Sequence, residues 1–251
     1  MAEAVRSLER AFELLEHLAD GGGDLALSEL TERSGLPMPT IYRLLQTLAA
    51  QGYVRRQPSK RYALGPRLIR LGDGASRLLG TWARPILARL VDQVGETANM
   101  AILEADEVVF VAQVPSRHSM RMFTEVGRRV QPHCTGVGKA LLAQLPPDQA
   151  RAILGRTNLV AHTPRTLTDL DSLVAAMVVI REQGYALDDE EQELGVRCVA
   201  VPIPGSPTPT AISVSGPSGR MTPETIAEIV PVMHEASAQF TAARAERAPA
   251  N

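Results

Sequence analysis

Apolar residues in the first quarter of the chain follow the spacing of two short helices joined by a tight turn. Gly35 favours the end of the first helix, because glycine readily takes the left-handed backbone of a C-cap. Pro39 suits the first turn of the second helix, where its missing N–H leaves no bond unmade. The i, i+3, i+4, i+7 spacing of one buried face is met by Ile41, Leu44, Leu45 and Leu48. The pattern predicts a helix-turn-helix whose second helix runs near residues 39–50.

Two further elements complete the predicted N-terminal domain. An earlier helix carries apolar residues at helical spacing, and we expect this face to pack under the helix-turn-helix. The residues of that face are Val5, Leu8, Phe12, Leu15 and Leu18. Ser28 is expected to cap the first helix of the motif. A hairpin follows, because the strand-like runs 53–56 and 61–64 flank a turn-forming tetrapeptide.

Side chains that can hydrogen-bond base edges and phosphates lie opposite the buried face of the second helix. The candidate DNA contacts on this helix are Pro39, Thr40, Tyr42, Arg43, Gln46 and Thr47. Those on the hairpin are Arg55, Arg56, Lys60 and Arg61. Helix-turn-helix patterns also occur in unrelated proteins, and a basic hairpin can be an ordinary solvated surface. Together the two features favour double-stranded operator DNA as a partner.

The distribution of charge strengthens this prediction. The whole chain has 26 basic and 28 acidic residues, for a formal net charge of -2. Residues 1–32 contain two bases and eight acids, whereas residues 33–77 contain nine bases and one acid. A local basic surface around the recognition helix and the hairpin is what neutralisation of DNA phosphates requires.

The rest of the chain alternates between helical and strand-like runs. Strands are predicted near residues 97–103, 108–114, 120–130, 199–203 and 211–214, and at Ala186. Helices are predicted near residues 84–94, 135–145, 147–154 and 169–183, and after a Thr222 cap. Together these strands and helices predict an α+β domain in which helices flank an antiparallel sheet.

Composition limits the class of protein. At 251 residues the chain can form two domains. No apolar run is long enough to cross a bilayer, and the N-terminus lacks the pattern of a signal peptide. The two cysteines, Cys134 and Cys198, fit neither a disulfide framework nor a zinc module. We therefore expect a protein of the reducing cytoplasm that does not act at a membrane.

Several motifs resemble those of a known family. The segments SLERAFELLEHL, LSELTERSGLPMPTIYRLLQTLAAQGYV and RYALG resemble the DNA-binding domain of the IclR family of bacterial transcriptional regulators. The segment GYALDDEE, followed by GVRC, resembles the most characteristic motif of that family's effector-binding domain. The resemblance covers nearly the whole chain.

The resemblance implies a domain plan and a function. It implies a winged helix-turn-helix over residues 1–64, a linker helix over 65–81, and an effector-binding domain over 82–251 that is similar to GAF and PAS folds. A member of the family is a ligand-responsive DNA-binding regulator, and we expect a repressor. The family also implies a homodimer that assembles into a tetramer, with no catalytic activity and no cofactor.

Two segments of the second domain are candidates for an effector site. The helix start near residues 133–140 contains glycines that leave backbone N–H groups approachable, although the glycines could equally serve close packing. The acidic cluster at residues 188–191 could be a solvated surface, and Asp188 a structural cap. Read through the resemblance, the polar contacts are Gly136 and Val137, through their backbone amides, with Asp188, Cys198, Ser213 and Ser215. The apolar wall is Met122, Val130 and Val196.

These residues favour a small polar ligand, because they supply short hydroxyl and thiol groups and the domain has few aromatic rings. Glyoxylate, pyruvate or a purine-derived ureide fits this description, and an aromatic acid is the alternative. Asp188 would repel a carboxylate unless it points aside, is protonated, or is offset by Arg121 or Arg197.

Two other classes of function remain open at this point. Cys134 beside His133, with Asp188 elsewhere, could form a thiol-dependent enzyme, although neighbours in sequence rarely form the hydrogen-bonded pair that a nucleophile needs. Three residues, His133, Cys134 and Cys198, could meet as metal ligands, but buried cysteine is often only a small apolar residue. Nothing in the spacing demands either, so we expect no catalytic residue and no metal.

Overall fold

The computed structural model describes residues 5–79, 81–122 and 124–245, and it divides into two compact units. The first unit ends at Ala75 and the second begins at Ser76. The boundary falls inside helix α4, Arg67–Leu79.

The first unit contains the predicted helix-turn-helix. Its helices are α1 Arg6–Asp20, α2 Leu27–Ser34 and α3 Met38–Ala50. Its strands are β1 Asp24–Leu25, β2 Val54–Arg56 and β3 Tyr62–Leu64, which pair in the order β1-β3-β2. One apolar core joins the three helices to the sheet, and its buried members are Leu14, Leu18, Leu25, Leu30, Ile41, Leu45, Val54 and Tyr62.

Two details of the first unit differ from the prediction. The buried face of α1 is Leu14 and Leu18, while Val5, Leu8 and Phe12 are 63%, 55% and 58% exposed. Helical periodicity identifies an apolar face, but it does not show which of two adjacent apolar faces packs against the core. Helix α1 has two such faces, and only one of them is buried. Ser28 is also not the cap of α2.

The start of α2 is capped by a side chain of the helix itself, that of Glu29. Ala26 is the N-cap residue, and its backbone N–H donates a 2.6 Å hydrogen bond to the carboxylate of Glu29. Gly35 ends the helix at φ 65, as its position in the sequence predicts.

The second unit is built around a six-stranded antiparallel sheet. Its strands are β4 Thr97–Glu104, β5 Glu107–Val114, β6 Arg129–Val130, β7 Ala186–Asp189, β8 Val196–Ile203 and β9 Thr210–Pro217. Their order in the sheet is β6-β5-β4-β9-β8-β7. The helices are α5 Arg84–Val94, α6 Gly136–Leu142, α7 Pro147–Arg156, α8 Leu170–Gln183 and α9 Pro223–Ala245, with a short 3-10 turn at Thr81–Ala83.

Helices cover both faces of this sheet, so its central strands β4, β8 and β9 are largely buried on both sides. Even-numbered residues of β9, such as Ile212 and Val214, pack in one core with α5 and α9. Ala211 of the same strand packs in a second core with α6, α7 and α8. Because side chains alternate along a strand, Ser213 and Ser215 share the second face with Ala211. The candidate effector residues therefore lie on the α6 side of the sheet.

Within the part of the chain that the structure describes, no helix has both the length and the apolar character needed to span a membrane.

Candidate effector pocket and nucleic-acid interface

The predicted contacts on α3 form its exposed surface. Ile41 and Leu45 are fully buried on one side of the helix. On the other side Pro39, Tyr42, Arg43, Gln46 and Thr47 are exposed, and Thr40 is half-buried. Proline at the start of α3 fits the first turn, where no backbone N–H is needed. The helix therefore presents a continuous polar face of the kind that enters a major groove.

The hairpin between β2 and β3 carries its basic side chains in two different ways. The Lys60 N–H donates to the Gln57 carbonyl at 3.0 Å, and Lys60 takes a left-handed φ of 64, which closes the turn. Arg55, Arg56 and Lys60 are exposed, and the Arg56 guanidinium lies 6.0 Å from the ring centroid of Tyr62. Arg55 and Lys60 have no ion-pair partner among the described residues.

Arg61 is held inside its own domain. Its guanidinium pairs with Asp24 at 2.6 Å and with Glu29 at 2.8 Å. It therefore ties the hairpin to β1 and to the start of α2. The sequence could not show this, because Asp24 lies 37 residues earlier in the chain.

A cavity of about 110 Å³ opens on the α6 side of the large sheet. Eight of the predicted effector residues line it, namely Met122, Val130, Val137, Asp188, Val196, Cys198, Ser213 and Ser215. Gly136 is the exception, and it lies behind the lining. Six further lining residues were not named as contacts from the sequence, although one of them, Thr135, lies in the candidate segment 133–140. They are Phe110, Thr124, Arg128, Thr135, Gln192 and Glu193.

Strand register explains why the polar residues converge. Asp188 on β7 pairs directly with Cys198 on β8, and Cys198 pairs directly with Ser215 on β9. Directly paired residues of neighbouring strands point to the same face, so the three side chains form a row across the sheet. Ser213 is 1% exposed, and its hydroxyl has no hydrogen-bond partner among the described residues. A buried hydroxyl without a partner beside a cavity is available to a ligand.

Asp188 has both roles that the sequence analysis considered for it, a structural cap and a residue of the effector cavity. It is 3% exposed, and its carboxylate accepts hydrogen bonds from the N–H groups of Glu191 at 2.7 Å and Gln192 at 3.3 Å. It therefore caps the turn after β7 and lines the cavity at the same time. Burial raises the pKa of Asp188 from its ordinary 3.8 to about 7. A carboxyl group with this pKa can donate a hydrogen bond to a ligand near neutral pH.

The arginines proposed to offset Asp188 do not do so. Arg197 pairs with Asp189 at 2.6 Å, on the side of the turn away from the cavity lining, and Arg121 is exposed and donates to the His118 carbonyl. The arginine that does line the cavity is Arg128, which is exposed. It lies in an irregular segment before β6, where no local pattern marks it.

The start of α6 is packed tightly against β7 and β8. A Cβ at Gly136 would lie 2.9 Å from the Cys198 carbonyl oxygen and 3.3 Å from the Asp188 nitrogen. The Thr135 hydroxyl caps the helix by accepting from the Gly138 N–H at 3.1 Å. The glycines are therefore required for close packing. That packing brings Val137, and not Gly136, to the cavity lining.

A buried ion pair lies behind this wall. Lys139 of α6 pairs with Glu191, and both residues are more than nine-tenths buried. One carboxylate oxygen of Glu191 has no partner among the described residues. The pair links α6 to the same turn that Asp188 caps from β7, so the ion pair and the cap together hold one wall of the cavity.

The geometry gives no support to a thiol nucleophile. His133 directs its Nε2 to the Val160 carbonyl oxygen at 3.0 Å, and the Cys134 thiol donates to Gln192 Oε1 at 2.8 Å. Burial, assisted by the Asp188 carboxylate, raises the pKa of the Cys134 thiol to about 12. Burial likewise raises the pKa of the Cys198 thiol to about 11. Neither sulfur is a thiolate at neutral pH, as a nucleophile needs to be.

Comparison with known protein families finds a match for each of the two compact units of the chain. Residues 7–58 match the IclR helix-turn-helix domain, and residues 76–242 match the C-terminal domain of bacterial transcriptional regulators of the IclR type. This chain belongs to the IclR family. The resemblance drawn from sequence motifs is therefore confirmed.

Three characterised relatives of this IclR-family chain are transcriptional regulators. The transcriptional repressor IclR of Escherichia coli K12 is 38% identical over 95% of this chain and 90% of its own length. The regulator BhcR of Paracoccus denitrificans is 37% identical over 97% and 88%. The acetate operon repressor of Salmonella typhimurium LT2 is 36% identical over 95% and 90%.

Solved structures show the same fold. The protein RHA06195 from Rhodococcus sp. RHA1 aligns with a TM-score of 0.84 at 30% identity, over 97% of this chain and 99% of its own. An IclR homologue from Microbacterium hydrocarbonoxydans, solved with 4-hydroxybenzoate, aligns with a TM-score of 0.81 at 25% identity, over 94% and 98%. This protein is thus a transcriptional regulator with a DNA-binding domain and an effector domain.

Proposed function

We propose that this IclR-family regulator is a cytoplasmic repressor that binds operator DNA through α3 and the β2–β3 hairpin. Its affinity for the operator falls or rises when a small polar metabolite binds in the cavity. The metabolite class is that of glyoxylate, pyruvate or a purine-derived ureide. Each of these compounds carries several hydrogen-bonding oxygen or nitrogen atoms on few carbons.

The row formed by Asp188, Cys198 and Ser215 carries the proposal for the ligand. These groups, with the unpartnered hydroxyl of Ser213, line a cavity of about 110 Å³. A compound with a carboxylate and a neighbouring keto or amide oxygen can accept from the hydroxyls and from a protonated Asp188. Arg128 at the edge of the cavity supplies a positive charge for the carboxylate.

An aromatic acid is the second candidate for the effector. Two observations support it: the relative solved with 4-hydroxybenzoate, and Phe110 in the cavity lining. The cavity volume opposes it, because a cavity of roughly 150 Å³ is the size that accommodates benzene. An aromatic acid, which is larger than benzene, would therefore need the walls to move further apart than a small oxo-acid such as glyoxylate would.

The DNA-binding part of the proposal rests on the exposed face of α3 and on the free charges of the hairpin. Arg43, Gln46 and Thr47 are exposed on α3, and Arg55 and Lys60 have no ion-pair partner among the described residues. Side chains on the helix can contact base edges, and cations on the hairpin can neutralise phosphates.

A homodimer, and a tetramer built from dimers, completes the proposal. Two recognition helices separated by roughly 34 Å would then reach successive major grooves of a near-palindromic site. Exposed apolar residues support subunit pairing, since Ile69 and Leu71 of α4 are 67% and 51% exposed. The effector can act only through unequal affinity for two arrangements of the subunits. We propose that the linker over residues 65–81 carries this difference.

The ligand is tested by thermal stabilisation of the full chain against oxo-acids, ureides and aromatic acids, each offered separately. A ligand that binds only the folded state raises the melting temperature as its concentration passes its dissociation constant. We expect an oxo-acid or a ureide to do so, and the Ser213→Ala variant to need a higher concentration. Ser218→Ala, outside the cavity lining, is the matched control. A rise with aromatic acids alone would favour the second candidate.

DNA binding is tested by selecting bound fragments from a pool of random duplexes and measuring affinity for the selected site. We expect Arg43→Ala to weaken binding without changing effector affinity. Arg10→Ala removes the same charge from an exposed position on α1 and should leave DNA affinity nearly unchanged. Equal losses in the two variants would show that the recognition helix is misassigned.

A further inference from the structure

A cluster of three metal-binding side chains lies next to the effector cavity. His133 and Cys134 directly precede the cap of α6, and His162 lies in the segment between α7 and α8. One potential ligand atom from each residue lies within 4.8 Å of the other two. Cys198, which the sequence grouped with His133 and Cys134, is not part of this cluster.

The hydrogen bonding of His133 leaves one ring nitrogen free. Its Nε2 lies 3.0 Å from the Val160 carbonyl oxygen, which can only accept, so Nε2 carries the proton. Nδ1 then has a lone pair and no proton. His133 is fully buried, and Nδ1 has no hydrogen-bond partner among the described residues. Histidines that ligate a metal usually donate their other N–H to a backbone carbonyl or carboxylate, which is the arrangement seen here.

The free nitrogen of His133 has a physical cost in the absence of a ligand. A buried histidine with an unused lone pair loses the hydrogen bond that this nitrogen would have in water. A cation at Nδ1 would restore a partner.

We propose that His133, Cys134 and His162 bind a transition-metal ion of the zinc class. Nitrogen and thiolate ligands together favour Zn²⁺ and its neighbours over Mg²⁺ or Ca²⁺, which prefer oxygen. Bonds of roughly 2.0–2.1 Å to nitrogen and 2.3 Å to sulfur would bring the three ligand atoms to roughly 3.3–3.6 Å from one another. His162 is exposed and can make this small movement. Three protein ligands leave a fourth position open.

The segment that carries His162 is already anchored beside the other two ligands. The hydroxyl of Thr166 accepts from the His162 N–H at 3.0 Å and donates to the Glu191 carbonyl at 2.6 Å. Val160, two residues before His162, accepts from His133 itself. The backbone around the cluster is therefore held in place without a metal, and small side-chain movements would bring the three ligand atoms together.

Metal binding would be coupled to the effector cavity through Cys134. Its thiol donates to Gln192 Oε1 at 2.8 Å, and Gln192 lines the cavity. Coordination replaces the S–H proton by the metal and releases that proton to solvent. The Gln192 amide oxygen then loses its donor, so its side chain must find another partner in the cavity wall. Metal affinity should consequently rise with pH, and bound metal should change effector affinity.

The test uses the full chain purified without a histidine tag, stripped with a chelator, and titrated with Zn²⁺ alone and with Co²⁺ alone. Calorimetry gives the stoichiometry for zinc. Absorption of the cobalt form shows a thiolate-to-metal charge-transfer band if Cys134 is a ligand. We expect one metal per chain, a band that Cys134→Ser abolishes, and a tenfold or greater loss of zinc affinity in His162→Ala.

His162 is exposed, so its replacement should not disturb folding, and unchanged circular dichroism confirms this for each variant. His118→Ala, another exposed histidine outside the cluster, is the matched control and should bind zinc as the unaltered chain does. The proposal is overturned if zinc binding is not stoichiometric, or if His162→Ala and Cys134→Ser bind zinc as tightly as His118→Ala. DNA and effector binding are measured separately, so failure here leaves the proposed function standing.

Discussion

The backbone N–H of Glu191 donates a 2.7 Å hydrogen bond to the carboxylate of Asp188, three residues earlier in the chain. The same carboxylate accepts from the Gln192 N–H and lines the effector cavity. The residue that shapes the turn after β7 is therefore also a residue that a ligand would meet. Any change in its protonation affects both the stability of the turn and the chemistry of the cavity.

The raised pKa of Asp188 predicts a fall in stability with rising pH. The unfolded chain loses this proton near pH 3.8, whereas the folded chain keeps it until about pH 7. Between these values the folded state binds more protons, so the free energy of unfolding decreases as pH rises and then levels off. Asp188→Asn retains an oxygen that can accept from Glu191 and cannot ionise. We expect the melting temperature of this variant, relative to the unaltered chain, to climb from pH 4 to pH 7.

Asp189→Asn is the control for this measurement, because Asp189 is half-buried and pairs with Arg165 and Arg197 outside the cavity lining. Lys139, Glu191, Cys134 and His133 also face the region, so both variants must be followed over the same pH range. A constant difference between Asp188→Asn and the unaltered chain would show that Asp188 ionises normally.

Lys139 and Glu191 form a buried ion pair, so we expect substitutions of the two residues to have strongly non-additive effects on the free energy of unfolding. Replacing Lys139 by Met leaves a buried carboxylate without its cation, which typically destabilises a protein by about 3–5 kcal/mol. Adding Glu191→Leu removes that carboxylate, so we expect the double variant to recover part of the loss. Urea unfolding followed by the fluorescence of Trp82 measures this, because Trp82 is the single tryptophan of the chain and packs on Phe240 in the second unit. Additive losses would contradict the coupling.

Gly136 predicts a steric effect on the cavity wall. A methyl group there would press on the Cys198 carbonyl oxygen at 2.9 Å, which belongs to β8 and has little freedom to move. We expect Gly136→Ala to lower both the melting temperature and the effector affinity. Gly155→Ala is the matched control, since a Cβ at Gly155 in α7 meets nothing within 4 Å. It should stabilise the chain by roughly 0.5–1 kcal/mol through its helix propensity. A harmless Gly136→Ala would show that α6 can shift away from the sheet.

Local patterns identified most elements but not the contacts between distant segments. Gly35 and Gly184 end α2 and α8 in left-handed conformation, as their positions predict, because a helix stop is a local property. The cavity residue Gln192 escaped prediction for the opposite reason. It follows an irregular turn, and its side chain accepts from the Cys134 thiol, 58 residues earlier in the chain. The metal-binding cluster likewise depends on His162, which lies 28 residues after Cys134 in sequence.

The second apolar face of α1 predicts a subunit contact. Val5, the N-cap residue of α1, and Leu8 and Phe12 within it are more than half exposed, which is unusual for three neighbouring large apolar side chains. If this face pairs two chains, Phe12→Glu should place a charge in a dry interface and shift the chain to monomers. Sedimentation velocity at several concentrations measures the shift. Val179→Glu, at an exposed apolar residue of α8, should leave the dimer intact. Dimers in Phe12→Glu would exclude this face.

Arg55 and Arg61 have different surroundings, so replacing each of them by alanine should change DNA binding and stability in different ways. Arg55 is exposed and makes no ion pair among the described residues, so it is free to neutralise a phosphate. Arg55→Ala should weaken binding to duplex DNA of any sequence and reduce the slope of log affinity against log salt by roughly one. Arg61 is already paired with Asp24 and Glu29. Its replacement should lower the melting temperature of the DNA-binding domain and leave the salt slope nearly unchanged. Equal changes in slope would mean that Arg61 leaves its carboxylates to meet DNA.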